Sequence, residues 1–209
     1  VGADTITIKL DQGWNWLSYL PSFNSDLGNA LISLTPNQND LIKSQTQFAQ
    51  YVSDVGWVGN IKRLKPGEGY KIQMTNADTL TYPYIMSGQS AKKLDKEVVF
   101  PEAPWDTVMW RNYKNSMNVT AIIDDKIVKE INSPEDVVVA ISNGEIRGFA
   151  RPEFIEGIDS YRLFMTVFSN SSSGEIIELK FWDADRDIIY SSNENLSFTN
   201  NDKSNNSNT

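Results

Sequence analysis

Asp183-Ala184-Asp185-Arg186-Asp187 sets three carboxylates at alternate positions of one short segment. Calcium takes several hard oxygen ligands from a flexible loop, and this spacing could supply three of them, from Asp183, Asp185 and Asp187. The pattern lacks the glycine and the distal bidentate glutamate of a helix-loop-helix calcium site, so a charged hairpin tip competes with calcium as its explanation. The six tryptophans offer a second chemistry. A flat apolar ring with one N–H stacks on sugar rings and anchors interfaces. Trp14, Trp16 and Trp182 fall inside strand patterns and are expected in cores. Trp57, flanked by Gly56 and Gly59, is expected at the surface with Tyr51. Trp105 and Trp110, beside a predicted linker, are expected there too, with Tyr113 nearby, although they could equally hold two domains together. Trp57, Tyr51, Trp105 and Trp110 are therefore the expected ligand contacts.

Other chemistries are excluded by composition. The chain of 209 residues has no histidine and no cysteine. Serine-histidine and cysteine-histidine nucleophile pairs, the commonest zinc ligands, redox dithiols and disulfides are all absent with them. A pair of carboxylates could still hydrolyse a glycosidic bond, but it needs a fixed separation beside a cleft, and no Asp or Glu pair here stands in a recognisable motif. The expectation is that the chain is not an enzyme. Asn118-Val119-Thr120, Asn170-Ser171-Ser172, Asn195-Leu196-Ser197 and Asn205-Asn206-Ser207 match the glycosylation pattern, as chance allows in an Asn- and Ser-rich sequence.

The charge is uneven. Residues 1–100 carry 9 Lys and Arg against 9 Asp and Glu, while residues 101–209 carry 10 against 18 and hold the whole net charge of −8. That asymmetry predicts two domains. An acidic second half argues against nucleic acid, whose phosphates need clustered cations, and against an anionic membrane surface. No apolar run is long enough to span a membrane. The chain opens on Val1-Gly2-Ala3-Asp4 rather than Met, which reads as a mature or excised piece of something longer.

The elements that must position these residues are mostly strands. Residues 5–10 alternate at period two, and 14–20 carry bulky groups on both faces and are expected to be buried. Ser25 is placed to cap a helix with Leu27, Ala30, Leu31 and Leu34 on one stripe, ended by Pro36. Residues 41–52 read as one or two strands, Lys65-Pro66-Gly67-Glu68-Gly69 as a tight reversal, 70–75 as a half-buried strand, and 79–84 as one more. In the second half, strands are expected at 117–123, 137–141, 161–168, 176–182 and 188–190, with Asn143-Gly144 turning a hairpin. The predicted class is mainly β. A β-rich domain with one short helix (1–88) and a linker (89–104) precede an antiparallel β-sandwich, Ig-like or jelly-roll-like (105–199), and a disordered polar tail (200–209).

Two stretches carry a resemblance. Gly13-Trp14-Asn15-Trp16-Leu17-Ser18 with Leu64-Lys65-Pro66-Gly67-Glu68-Gly69-Tyr70 resembles a module of large prokaryotic surface and secreted proteins, usually written GWNLIS followed by L-x-PG-x-GYW. Here Trp16 replaces an aliphatic residue and Lys71 the second aromatic. Ser116-Met117-Asn118-Val119-Thr120-Ala121, the run from Asn143 to Ala150, and Leu179-Lys180-Phe181-Trp182-Asp183-Ala184 resemble a module of multidomain secreted proteins of the Bacteroidota. Together they cover most of residues 5–190. The resemblance implies a bacterial secreted or cell-surface β module and carries no catalytic residues. With the aromatic surplus, it predicts a non-catalytic binding module for a glycan or an extracellular protein, with no resident cofactor beyond calcium. The alternative is a structural unit of an extracellular stalk or filament, self-associating through edge strands.

Overall fold

The computed structural model describes residues 6–82, 108–123, 131 and 133–200. They belong to two compact units. The expected linker, Trp105 and residues 201–209 lie outside the described residues. Among the described residues no helix is long and apolar enough to cross a membrane.

The fold is mainly β, and among the described residues every strand pairing is antiparallel. In the first unit, β1 (Thr7–Leu10) turns into β2 (Gly13–Ser18). The turn is closed by Asn15, whose side chain accepts from the Asp11 amide (2.8 Å) and donates to the Asp11 carbonyl (2.7 Å). β3 (Ser25–Asp26) leads into a single helical turn, α1 (Leu27–Ala30). Then come β4 (Leu41–Lys43), β5 (Phe48–Val52), β6 (Gly56–Gly59), β7 (Arg63–Leu64), β8 (Gly69–Met74) and β9 (Asp78–Thr81). The main sheet runs β2-β8-β4-β5-β6, and β1-β9 and β3-β7 form two small ribbons. Tyr70, Ile72 and Met74 of β8 face the core, as the period-two pattern requires. The reversal before β8 places Pro66 and Gly67 at the turn's centre, with Gly67 at φ 75°, a conformation that favours glycine.

The expected helix is corrected to one turn. Ser25 does not cap it. It pairs with Leu64 in β3, and Asp26 pairs with Arg63. Gly28 and Asn29 are weak helix formers, and strand pairing captures the start of the segment instead. Leu27, Ala30, Leu31 and Leu34 are buried all the same, the last two through tight turns.

The second unit is a sandwich. After a 3₁₀ turn at Trp110–Asn112 come β10 (Asn115–Ile122), β11 (Val137–Ser142), β12 (Glu145–Ala150), β13 (Glu153–Ile155), β14 (Ser160–Ser169), β15 (Ser173–Asp183) and β16 (Ile188–Thr199). One sheet runs β10-β14-β13 and the other β12-β11-β15-β16. Between them lie Met117, Val138, Ala140, Leu163, Met165, Val167, Ile177, Phe181 and Phe198. Asn143 (φ 52°) and Gly144 (φ 79°) make the expected hairpin turn. β12 and β14 approach so closely that a Cβ on Gly148 would sit 2.5 Å from the Thr166 carbonyl oxygen. A bulge sets Ala140 opposite Gly148 and Ile141 opposite Ile146, leaving Arg147 as the extra residue. The bulge turns the Arg147 side chain inward. Its Nη2 lies 2.8 Å from Glu175, and its guanidinium sits 4.8 Å from the Tyr113 ring. Glu175 in turn accepts from the Ser169 hydroxyl.

Candidate functional site

The most exposed large aromatic among the described residues is one the sequence pattern assigned to a core. Trp16 is 80 % exposed. The reason is register. β2 pairs with β8 alone, at the edge of the sheet, and its side chains alternate between the face that packs on the core and the face that does not. Leu17, opposite Tyr70, lies on the core side and is buried. Trp14, opposite Gln73, and Trp16, opposite Lys71, lie on the other side. Two residues of strand rise separate them, about 7 Å. The Lys71 ammonium sits 4.8 Å from the Trp16 ring centre, and the Lys43 ammonium 5.7 Å from that of Trp14. The face carries two indoles, two cations and the Gln73 amide. The row beyond Lys71 continues into Lys43 and Phe48, both buried. The exposed part of the platform is therefore its β2 side.

The residues expected to touch a ligand are arranged differently. Tyr51 and Trp57 do meet, as a cross-strand pair on β5 and β6, with ring centres 5.5 Å apart at 68°. An edge-on pair offers no flat double face. Trp57 also packs against the first core and is half-buried. Trp110 is half-buried, with the Arg111 guanidinium 5.0 Å from its ring, and Trp105 falls outside the described residues. Tyr113 stacks on Phe168. Trp182 is not core either. It stands in a row with Val137 and Ile189 on the sheet face away from the sandwich core, and its indole N–H donates to Asp187 (3.0 Å).

The acidic tip does not gather its carboxylates. Asp183 is fully buried and accepts the Arg186 amide (3.1 Å), with the Arg186 guanidinium 3.6 Å from its second oxygen. Asp187 holds the Trp182 indole, and Asp185 is exposed. Among the described residues no group of three or more His, Cys, Asp or Glu side chains converges as a metal site. The segment is a hairpin tip tied to the body through Asp136, whose carboxylate accepts the Ala184 and Ser133 amides. Asp40 is pinned in the same manner by the amides of Asn37 and Thr75 and the Thr75 hydroxyl. These buried acids are spent on backbone donors, which suits loop anchoring rather than proton transfer.

Titration is shifted chiefly beneath the first sheet. Burial pushes Tyr70 up to about 12, with the Glu68 carboxylate adding to the rise and the Lys65 amide opposing it. Burial raises Tyr82 strongly and Tyr19 more mildly. The Thr35 amide (2.7 Å), with the Thr79 amide and the Thr35 hydroxyl, holds Asp78 below the usual carboxylate range.

Fold and site together define a class: a two-unit antiparallel β protein with one exposed indole, Trp16, beside a half-buried one, Trp14, on the same face of an edge strand of its first sheet. Comparison with protein-family models, curated proteins and solved structures gives no match.

Proposed function

We propose that this chain is a non-catalytic binding module, secreted or displayed at a bacterial cell surface, that holds a glycan on the Trp14–Trp16 face. The observation that carries the reading is Trp16 at 80 % exposure beside a second indole on the same strand face. Exposing an indole forgoes roughly 1.5–3 kcal/mol of burial, and a solvent-facing ring is ready to stack on the apolar face of a sugar. Lys71 and Gln73 would supply charged and hydrogen-bonding contacts to hydroxyls or to an acidic sugar. The secreted setting rests on the module resemblance. A glycan array carrying neutral and uronic-acid polysaccharides, followed by tryptophan-fluorescence titration of Trp16→Ala, tests the reading. Saturable binding lost in that variant supports it. No binding across the array, or binding indifferent to Trp16, overturns it.

A second reading has one observation in its favour. β16 spans twelve residues at the edge of its sheet and is exposed along most of its length. Such an edge could pair with a neighbouring copy in a stalk or filament. Concentration-dependent assembly in light scattering, abolished by Leu196→Pro, would select that reading over the glycan module.

A further inference from the structure

The sandwich of the second unit is shut along β12 and β14, and its edge strands β10 and β16 meet at one end, where the Thr199 amide reaches the Met117 sulfur and Asn200 donates to Asn115, but part at the Ala121–Ile123 end of β10. The gap holds a cavity of about 630 Å³. Its walls are Ala121 and Ile123 from the β10 side, Leu163 from β14, Leu179 and Phe181 from β15, and Tyr190 from β16. Ala121, Ile123, Leu179 and Tyr190 pack against the core cluster and are half-buried where they line the cavity. A second feature shapes the mouth. In the β15–β16 ladder Glu178 faces Asn195 and Lys180 faces Ser191, so Ser192, Asn193 and Glu194 together stand opposite Leu179 alone. This is a bulge with two surplus residues, and the Glu194 amide donating to the Ser192 hydroxyl (3.0 Å) braces it. Bulges of this kind bend an edge strand and re-aim its side chains, often beside functional sites. Here the bulge carries hydroxyl, amide and carboxylate groups at the rim of an apolar hole.

We infer that this cavity is a binding site for a small uncharged amphiphile, a short alkyl or acyl chain inside and a hydroxylated head at the Ser191–Glu194 rim. The volume falls within the range of about 300–1,000 Å³ usual for small-molecule pockets, and apolar walls with a few polar groups at one end are their ordinary make-up. The head is uncharged for two reasons. Lys180 and Glu194 both line the cavity and offset each other, so neither sign of head is selected there, and the second half of the chain carries the whole net charge of −8, which disfavours an anionic head. The rim side chains Ser192 and Asn193, in the bulge, donate to and accept from hydroxyls without a charge.

The test uses the full chain, isotope-labelled at its methyl groups and titrated with 1-octanoylglycerol below its aggregation threshold. Glycerol and octanoate serve as the separate head and the anionic counterpart. Saturable shifts confined to the methyls of Ala121, Ile123, Leu163 and Leu179 are expected, with none from glycerol and at least tenfold weaker binding of octanoate. Ala121→Phe, which points a ring into the hole, should weaken the binding at least tenfold. Should that variant not fold, the methyl map of the unaltered chain decides. No saturable shift, shifts elsewhere, octanoate bound as tightly, or a folded Ala121→Phe that binds unchanged would each overturn the assignment. The Trp14–Trp16 face plays no part in this experiment, so the two readings fail separately.

Discussion

Trp16 and Trp57 answer the same substitution in opposite ways. Trp16 stands in water with Lys71 beside it, and such an exposed cation–π contact is worth about 0.5–1 kcal/mol. Trp16→Ala should therefore leave stability within about 1 kcal/mol of the parent while glycan affinity falls at least tenfold, roughly 1.4 kcal/mol. Trp57 packs on the core and on Tyr51, so Trp57→Ala should cost about 2 kcal/mol or more and leave glycan affinity unchanged in whatever remains folded. Chemical denaturation and fluorescence titration of the two variants separate the roles. If Trp57 rather than Trp16 governs affinity, the aromatic face has been assigned to the wrong side of the sheet. The same contrast shows what local sequence can and cannot say. Trp14 and Trp16 alternate with Asn15 and Leu17, so their sharing one face was legible. Which face meets water depends on what packs on each side of the sheet, and that is a long-range property.

β12 is the element on which the sandwich turns. Gly148 lets it lie against β14, and the bulge beside it delivers Arg147 to Glu175. Gly148→Ala would drive a methyl into the Thr166 carbonyl, and the backbone must move, so a loss of about 1–3 kcal/mol is expected by denaturant titration. Arg147 is 9 % exposed and Glu175 12 %, so removing one charge strands the other in a poorly solvated place. Arg147→Ala should cost about 3 kcal/mol, whereas Arg147→Met with Glu175→Gln should recover much of it. A loss in the double replacement equal to the sum of the two single losses would mean that the pair is not coupled. Turns in both units were readable beforehand, because Asn143-Gly144 and Pro66-Gly67 carry their conformation in their residue types. The bulge was not readable, since nothing local to Arg147 distinguishes it from an outward-facing arginine. The last nine residues of β16, Ser-Ser-Asn-Glu-Asn-Leu-Ser-Phe-Thr, lack apolar alternation over most of their length, and β15 holds them in place by backbone pairing. The helix is only one turn long for the converse reason: its leucine stripe was real, but burial needs only the stripe and not a longer helix.

For the molecule as a whole, the missing histidine fixes the response to pH. No other side chain changes charge between about pH 5 and 8 when unperturbed. The phenols that shift move up and Asp78 moves down, both away from neutrality. Asp78 has a lowered value in the folded state, so its contribution is present above the usual carboxylate range and is lost as pH falls through that lowered value. Tyr70 and Tyr82 have raised values. Their contribution is complete below the ordinary phenol value of 10.0 and is lost as pH rises, for Tyr70 through about 12. Melting temperature measured by circular dichroism should thus form a plateau from about pH 5.5 to 8, with an acid shoulder and an alkaline one. Asp78→Asn should flatten part of the acid shoulder. Tyr70→Phe should soften the alkaline one, and in the parent chain phenolate absorbance should lag until unfolding releases these rings. A melting temperature that slopes between about pH 6 and 7, below the range of a terminal amine, would contradict this account, because it would require a side chain with a neutral midpoint in a chain that has no histidine to provide it.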